Sequence, residues 1–219
     1  MFHVDNSYDL RRVRYTMIKA AELPPPGTGG ATEFADTRTA YDDLDDATKE
    51  FIQGKIAAHS IFQSRRAAVP DYKTFKAIDP MKYPMGRHYV SQKHAESGRM
   101  NLYLAYHIHH IEDMEPEASS ALVTKLLTHA TQKKYVLELA YKDVGDVAIW
   151  DNTAVMHRAG PGSYFGKYRR DMRRCTVFDS SEAAYGFNDK KQARMDAMKI
   201  IREVHSRVEG KDAEGVDWD

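Results

Sequence analysis

The run Leu23-Pro24-Pro25-Pro26-Gly27-Thr28-Gly29-Gly30 constrains the fold more than any other stretch of the chain. Three successive prolines remove three backbone donors, and the glycines resist ordering, so neither a helix nor a central strand can pass through it. It must be a loop, and it cuts off an opening segment, Phe2 to Ala20, that is rich in β-branched and aromatic residues. That segment contains no Gly or Pro and reads as strand, with an interruption near Asn6–Asp9. Further strands are predicted at Met100–His107, where Tyr135, Leu137, Leu139 and Tyr141 alternate, at Val147–Trp150 and at Met172–Phe178. Helices are predicted from an N-cap at Asp45 to about Ala58, and from Pro116 to about Thr131. A third runs from about Lys190 to Glu209, with Met195, Met198, Ile201 and Val204 at helical spacing. Residues 63–99, with Pro70, Pro80, Pro84 and Gly86, read as a long irregular excursion of the kind that serves as a lid. The expected fold class is β-rich with peripheral helices.

Composition excludes several function classes. A chain of 219 residues, 42% hydrophobic, can close one substantial core. Lys+Arg and Asp+Glu both number 32, without the basic excess on which nucleic-acid binding rests. No apolar run approaches the roughly 20 residues of a membrane helix. The opening residues have no charged n-region followed by an apolar stretch, and the single cysteine, Cys175, excludes an internal disulfide. A cytoplasmic protein is expected, binding neither nucleic acid nor membrane.

His3-Val4-Asp5 is the most informative triplet. In a strand, residues two apart share a face, so an imidazole and a carboxylate can converge on one point. One nitrogen and one anionic oxygen suit a divalent first-row metal, and a second histidine would complete a facial triad with three of six positions open. His157, just past a strand ending at Trp150, is the candidate third ligand; its other reading is a structural histidine. If Tyr168–Val177 is a strand, Arg170, Met172, Arg174 and Thr176 share a face. Inward arginines need anionic partners, and a bidentate carboxylate matches the guanidinium fork; a solvated edge would need none.

Other features compete. His107 and His109 could share a strand face and bind zinc or nickel. The glycine loop at Gly27–Thr32 lacks the Gly-Lys-Ser/Thr of a P-loop and the third glycine before a helix of a dinucleotide fold. Arg11-Arg12-Val13-Arg14 reads as a solvated strand face, and Cys175 as packing.

Taken together, the pieces resemble the taurine/2,4-dichlorophenoxyacetate dioxygenase family of iron(II)- and 2-oxoglutarate-dependent oxygenases, closer to its aryloxyacetate branch. The resemblance is carried by Phe2-His3-Val4-Asp5, by Pro25 to Arg38, by Gly98-Arg99 to Tyr103 and by His129-Ala130-Thr131. It is strongest at Gly145-Asp146-Val147, Trp150-Asp151-Asn152, His157-Arg158 and Arg169-Arg170 to Arg174. It implies a double-stranded β-helix (jelly roll) domain over residues 1–180 and a helical C-terminal tail over 181–219. It also implies Fe(II) on His3, Asp5 and His157, and 2-oxoglutarate held by Thr32 and Arg170 with Trp150 beside it. Arg174 would meet an anionic group on the prime substrate. The implied reaction hydroxylates a small organic molecule with O2 and releases succinate and CO2.

One departure from the family pattern shapes the expectations. The first ligand sits two residues from the start, where relatives carry an upstream segment; missing N-terminal strands would leave His3 prone to fraying and a sheet edge open to homo-oligomer formation. A catalytically weak or inactive metal-binding β-helix protein is the alternative that follows. A cupin-like metalloenzyme using His107 and His109 without 2-oxoglutarate is the other.

Overall fold

The computed structural model describes residues 1–210. In chain order its elements are β1 (Val13–Glu22), β2 (Thr32–Asp36), α1 (Thr37–Asp42), α2 (Asp46–Ile52), β3 (Ile56–His59), α3 (Ile61–Ala68) and α4 (Lys73–Ala77). There follow β4 (Gly86–Tyr89), β5 (Ser91–Lys93), β6 (Met100–Leu102), β7 (Ile108–Ile111) and α5 (Pro116–Ala130). The last are β8 (Val136–Leu139), β9 (Val147–Asp151), β10 (Val155–Ala159), β11 (Asp171–Phe178) and α6 (Ala197–Glu209).

Two antiparallel three-stranded sheets frame the molecule, in the orders β11-β1-β9 and β10-β2-β8. Period-two alternation buries Thr16 and Ala20 of β1 and Ala148 and Trp150 of β9, and turns Tyr15, Lys19, Val147 and Ile149 outward. A third sheet, β4-β3-β7, and the β5-β6 pair extend the structure. One core cluster gathers Phe2, Val4, Ala35, Leu102, Tyr103, Leu104 and Met156 with Leu122, Leu126 and Leu127 of α5. A second packs Ile201 and Val204 of α6 against Phe62, Phe75 and Ile78 of the α3–α4 region. Among the described residues no helix is long and apolar enough to cross a membrane.

The β-rich expectation holds, and several boundaries move. The Asp45 cap is present, its carboxylate accepting from the Thr48 backbone N–H at 2.7 Å. Its helix, however, ends at Ile52 rather than near Ala58. Gly54 takes φ +72°, and the β-branched Ile56 opens β3 instead of continuing a helical face. Residues 63–99 are only partly irregular. They carry most of α3 together with α4, β4 and β5, each too short to leave a periodic signal. The strand predicted over Met100–His107 stops at Leu102, and β7 begins only after His107. The C-terminal helix starts at Ala197, where Asp196 accepts from the Lys199 N–H, and ends before Gly210 at φ +64°. The last nine residues of the predicted tail, 211–219, lie outside the described residues.

The basic run before β1 is not a solvated face either. Arg12 is buried, and its Nε donates to the buried Asp179 carboxylate at 2.7 Å. Backbone bonds reinforce the pair: the Asp179 N–H donates to Arg12 O at 3.0 Å, and Arg11 Nε to Asp179 O at 2.8 Å. The start of β1 is thereby fastened to the end of β11.

Candidate metal centre

His3 and His157 are far apart in the chain, and the backbone brings them together. The His3 N–H donates to His157 O at 2.9 Å and the His157 N–H to His3 O at 2.8 Å, an antiparallel bridge that adds one rung to the β10 edge. Their rings lie 4.3 Å apart, centroid to centroid. His157 is thus a residue of strand β10, not of a loop beyond a strand. Asp5 follows two residues after His3 and is oriented by three groups from other elements. Its N–H donates to Asn152 Oδ1 at 2.9 Å. Its carboxylate accepts from Thr16 Oγ1 at 2.6 Å and from Arg174 at 3.2 Å.

His3 Nε2 lies 3.8 Å from Asp5 Oδ1 and His157 Nε2 lies 3.5 Å from Asp5 Oδ2. One donor atom from each of the three residues falls within 4.8 Å of the others. His3 Nδ1 is 3.0 Å from Met1 O, a carbonyl that can only accept, so Nδ1 carries the proton and Nε2 presents its lone pair. Burial pushes the His3 imidazole below its ordinary pKa, against the Met1 hydrogen bond and the Asp5 charge. Burial, then the neighbouring His3, pushes His157 well below its ordinary value. Two neutral imidazoles and a carboxylate therefore converge, and a divalent cation between them fits this donor set.

The remaining predicted residues occupy two places. Trp150 packs its ring 4.6 Å from His157 and 5.3 Å from Phe34, tying β9 to β10 and β2, and its buried Nε1 has no partner among the described residues. Thr32 opens β2 and shares a 2.9 Å hydrogen bond with the Tyr141 hydroxyl. Arg170 donates through Nε and Nη2 to Gly30 O, at 3.1 and 2.9 Å. Gly30 takes φ +93°, and a Cβ there would stand 3.1 Å from Arg170 Nε, so glycine is what admits the arginine. Arg174, paired with Ile18 across β11 and β1, lies at the triad through Asp5.

The alternative pair, His107 and His109, does not form a site. His107 Nδ1 bonds Ser64 Oγ at 2.8 Å and its ring faces His3, while His109 bonds His110. They precede and enter β7 on different sides, because the strand begins only at Ile108. Sequence reasoning missed Thr16 and Asn152, which orient Asp5, and the grouping of His94, Glu96 and Asp151. In that second group Arg14 contacts both Glu96 and Asp151, so the protein itself offsets one of the two negative charges.

Residues 1–176 match the family described as "Taurine catabolism dioxygenase TauD, TfdA family". The chain is 38% identical over 180 residues to an alpha-ketoglutarate-dependent 2,4-dichlorophenoxyacetate dioxygenase of Burkholderia sp. (strain RASC), covering 81% of this chain and 57% of the relative. It is 30% identical over 167 residues to an (S)-phenoxypropionate/alpha-ketoglutarate-dioxygenase of Sphingobium herbicidovorans, with 73% and 56% covered. Among solved structures it is similar to AAD-2 in complex with Mn(II) and N-oxalylglycine, with a TM-score of 0.72 and 32% identity over 83% of this chain and 69% of that one. The chain thus spans less than two thirds of the curated relatives it matches.

Proposed function

This chain belongs to the taurine catabolism dioxygenase TauD/TfdA family, and from that premise we propose that it is a non-haem Fe(II)- and 2-oxoglutarate-dependent oxygenase acting on a small anionic organic substrate. The observation that carries the reading is the convergence of the His3 and His157 Nε2 atoms on the Asp5 carboxylate. The two main sheets supply a double-stranded β-helix, residues 1–180 form the oxygenase domain, and 181–219 make up a tail whose described part carries α6, packed back on α3 and α4.

His3, Asp5 and His157 would hold the iron. Bound there, the metal supplies the O2 chemistry that no side chain provides, coupling 2-oxoglutarate decarboxylation to substrate hydroxylation. The protein's residues place and shield the reactants. Thr16 and Arg174 fix the Asp5 carboxylate, and Met1 O fixes the His3 tautomer. Arg170, beside the loop that leads into Thr32, receives the distal carboxylate of 2-oxoglutarate, and Thr32 and Trp150 flank it.

Two measurements test the reading. Anaerobic addition of Fe(II) and 2-oxoglutarate is expected to give the weak visible charge-transfer band of the chelate, and a panel of aryloxyacetates, sulfonates and other carboxylates to stimulate succinate release. A folded chain that binds Fe(II) but shows neither would overturn it. Arg170→Ala is expected to weaken 2-oxoglutarate binding about 10- to 100-fold, the worth of charge-assisted hydrogen bonds, with Fe(II) affinity changed less than about twofold. Equal loss of both would make the arginine a purely structural tie to Gly30.

A further inference from the structure

A cavity of about 330 Å³ opens beside the triad, with Arg174 of β11 and Arg65 of α3 both in its walls. Asp5 is the sole carboxylate of the lining, and Arg174 already bonds it at 3.2 Å. Arg65 has no ion-pair partner among the described residues, and its Nε is buried with no acceptor. The guanidinium field reaches across the cavity. Burial lowers the His107 imidazole and raises the Tyr8 hydroxyl, and the Arg65 charge adds to the first effect and opposes the second. The rest of the wall is mainly apolar or aromatic, including Tyr8, Ile61 and Tyr106.

A buried guanidinium N–H without an acceptor is a penalty that the folded chain carries alone. An anion in the cavity would meet the unpaired positive charge of Arg65, and the cavity contains no protein carboxylate free to do so. Arg174 is the less available of the two cations, because Asp5 would lose its partner if that arginine turned to a substrate.

We propose that Arg65 is the specificity-determining anchor for the anionic head of the prime substrate, an organic monoanion whose apolar body lies along Tyr8, Ile61 and Tyr106. The assignment rests on reading the site as a 2-oxoglutarate oxygenase, and it moves the substrate's charge from β11 to α3.

The test is calorimetric binding to the full chain loaded with Mn(II) and N-oxalylglycine, which needs no turnover. The probes are phenoxyacetate, phenylpropionate and benzenesulfonate, each beside an uncharged amide of the same shape. The tightest anion is expected to lose at least about 20-fold in affinity in Arg65→Met and to regain part of it in Arg65→Lys, while its amide changes less than about threefold. Mn(II) affinity and the thermal midpoint are expected to stay at wild-type values in both variants. An Arg65→Met loss below about threefold, an equal loss for anion and amide, or failure of every anion to bind the wild-type chain overturns the assignment. Loss of Mn(II) binding in the wild type itself would instead strike the metal-centre reading.

Discussion

Asp5→Asn lowers Mn(II) affinity by at least about a hundredfold, beyond the 10- to 100-fold that loss of an outer-shell partner brings. The substitution keeps the shape of the side chain and an oxygen to accept from Thr16 Oγ1, now 2.6 Å away, so packing in this buried corner is preserved. What it removes is the negative charge that faces His3 Nε2 and His157 Nε2. Titration with Mn(II), followed by loss of the free-ion EPR signal, reads the effect directly. A melting curve run in parallel separates it from unfolding. His109→Ala serves as the contrast and is expected to leave Mn(II) binding unchanged, since His109 bonds His110 away from the triad. Wild-type Mn(II) affinity in Asp5→Asn would show that the three side chains meet for structural reasons alone.

The convergence of His3, Asp5 and His157 was legible in part, because it depends on short-range spacing plus one backbone bridge. Residues two apart in an extended stretch turn to one side, which suggested His3 beside Asp5, although only His3 forms a bridge and Asp5 lies in a turn; that His157 sits in β10 across from His3 was not legible from its place after Trp150. The two arginines of β11 were legible as a pattern but not in their partners. Nothing in the residues near Arg170 points to Gly30 O, and nothing near Arg174 points to Asp5 rather than to a ligand. The same limit explains the errors. A four-residue strand such as β3 carries two alternations at most, and Ile56 fits a helical face just as well until Gly54 breaks it. Arg12 looked exposed because a cluster of three arginines usually is. Its counter-charge, Asp179, is supplied from the far end of β11, a contact that only tertiary structure reveals.

That pair carries the second large effect. Asp179→Asn is expected to destabilise the chain by about 3–5 kcal/mol at pH 7, because it leaves the Arg12 guanidinium buried without its charge. For a chain of this size the thermal midpoint would fall by about 6–20 °C. Burial pushes the Asp179 carboxyl upward, but hydrogen bonds from Ser181 and the Arg12 guanidinium outweigh it and hold the group below its ordinary value. A carboxyl depressed in the folded state stabilises above its unfolded pKa of about 3.9, and the contribution fades as pH falls through the folded value. The wild-type advantage over Asp179→Asn in urea unfolding is therefore constant from pH 7 down to about pH 5 and shrinks in more acidic solution. Replacing both partners, Arg12→Met with Asp179→Leu, is expected to cost less than the two single losses together, since no unpaired charge remains. A strictly additive double variant would locate the cost in packing instead. Because the pair fastens the end of β11 to the start of β1, its loss also loosens the register that sets Arg174 opposite Ile18 and against Asp5. Metal affinity in Asp179→Asn should then weaken even at temperatures where the chain stays folded.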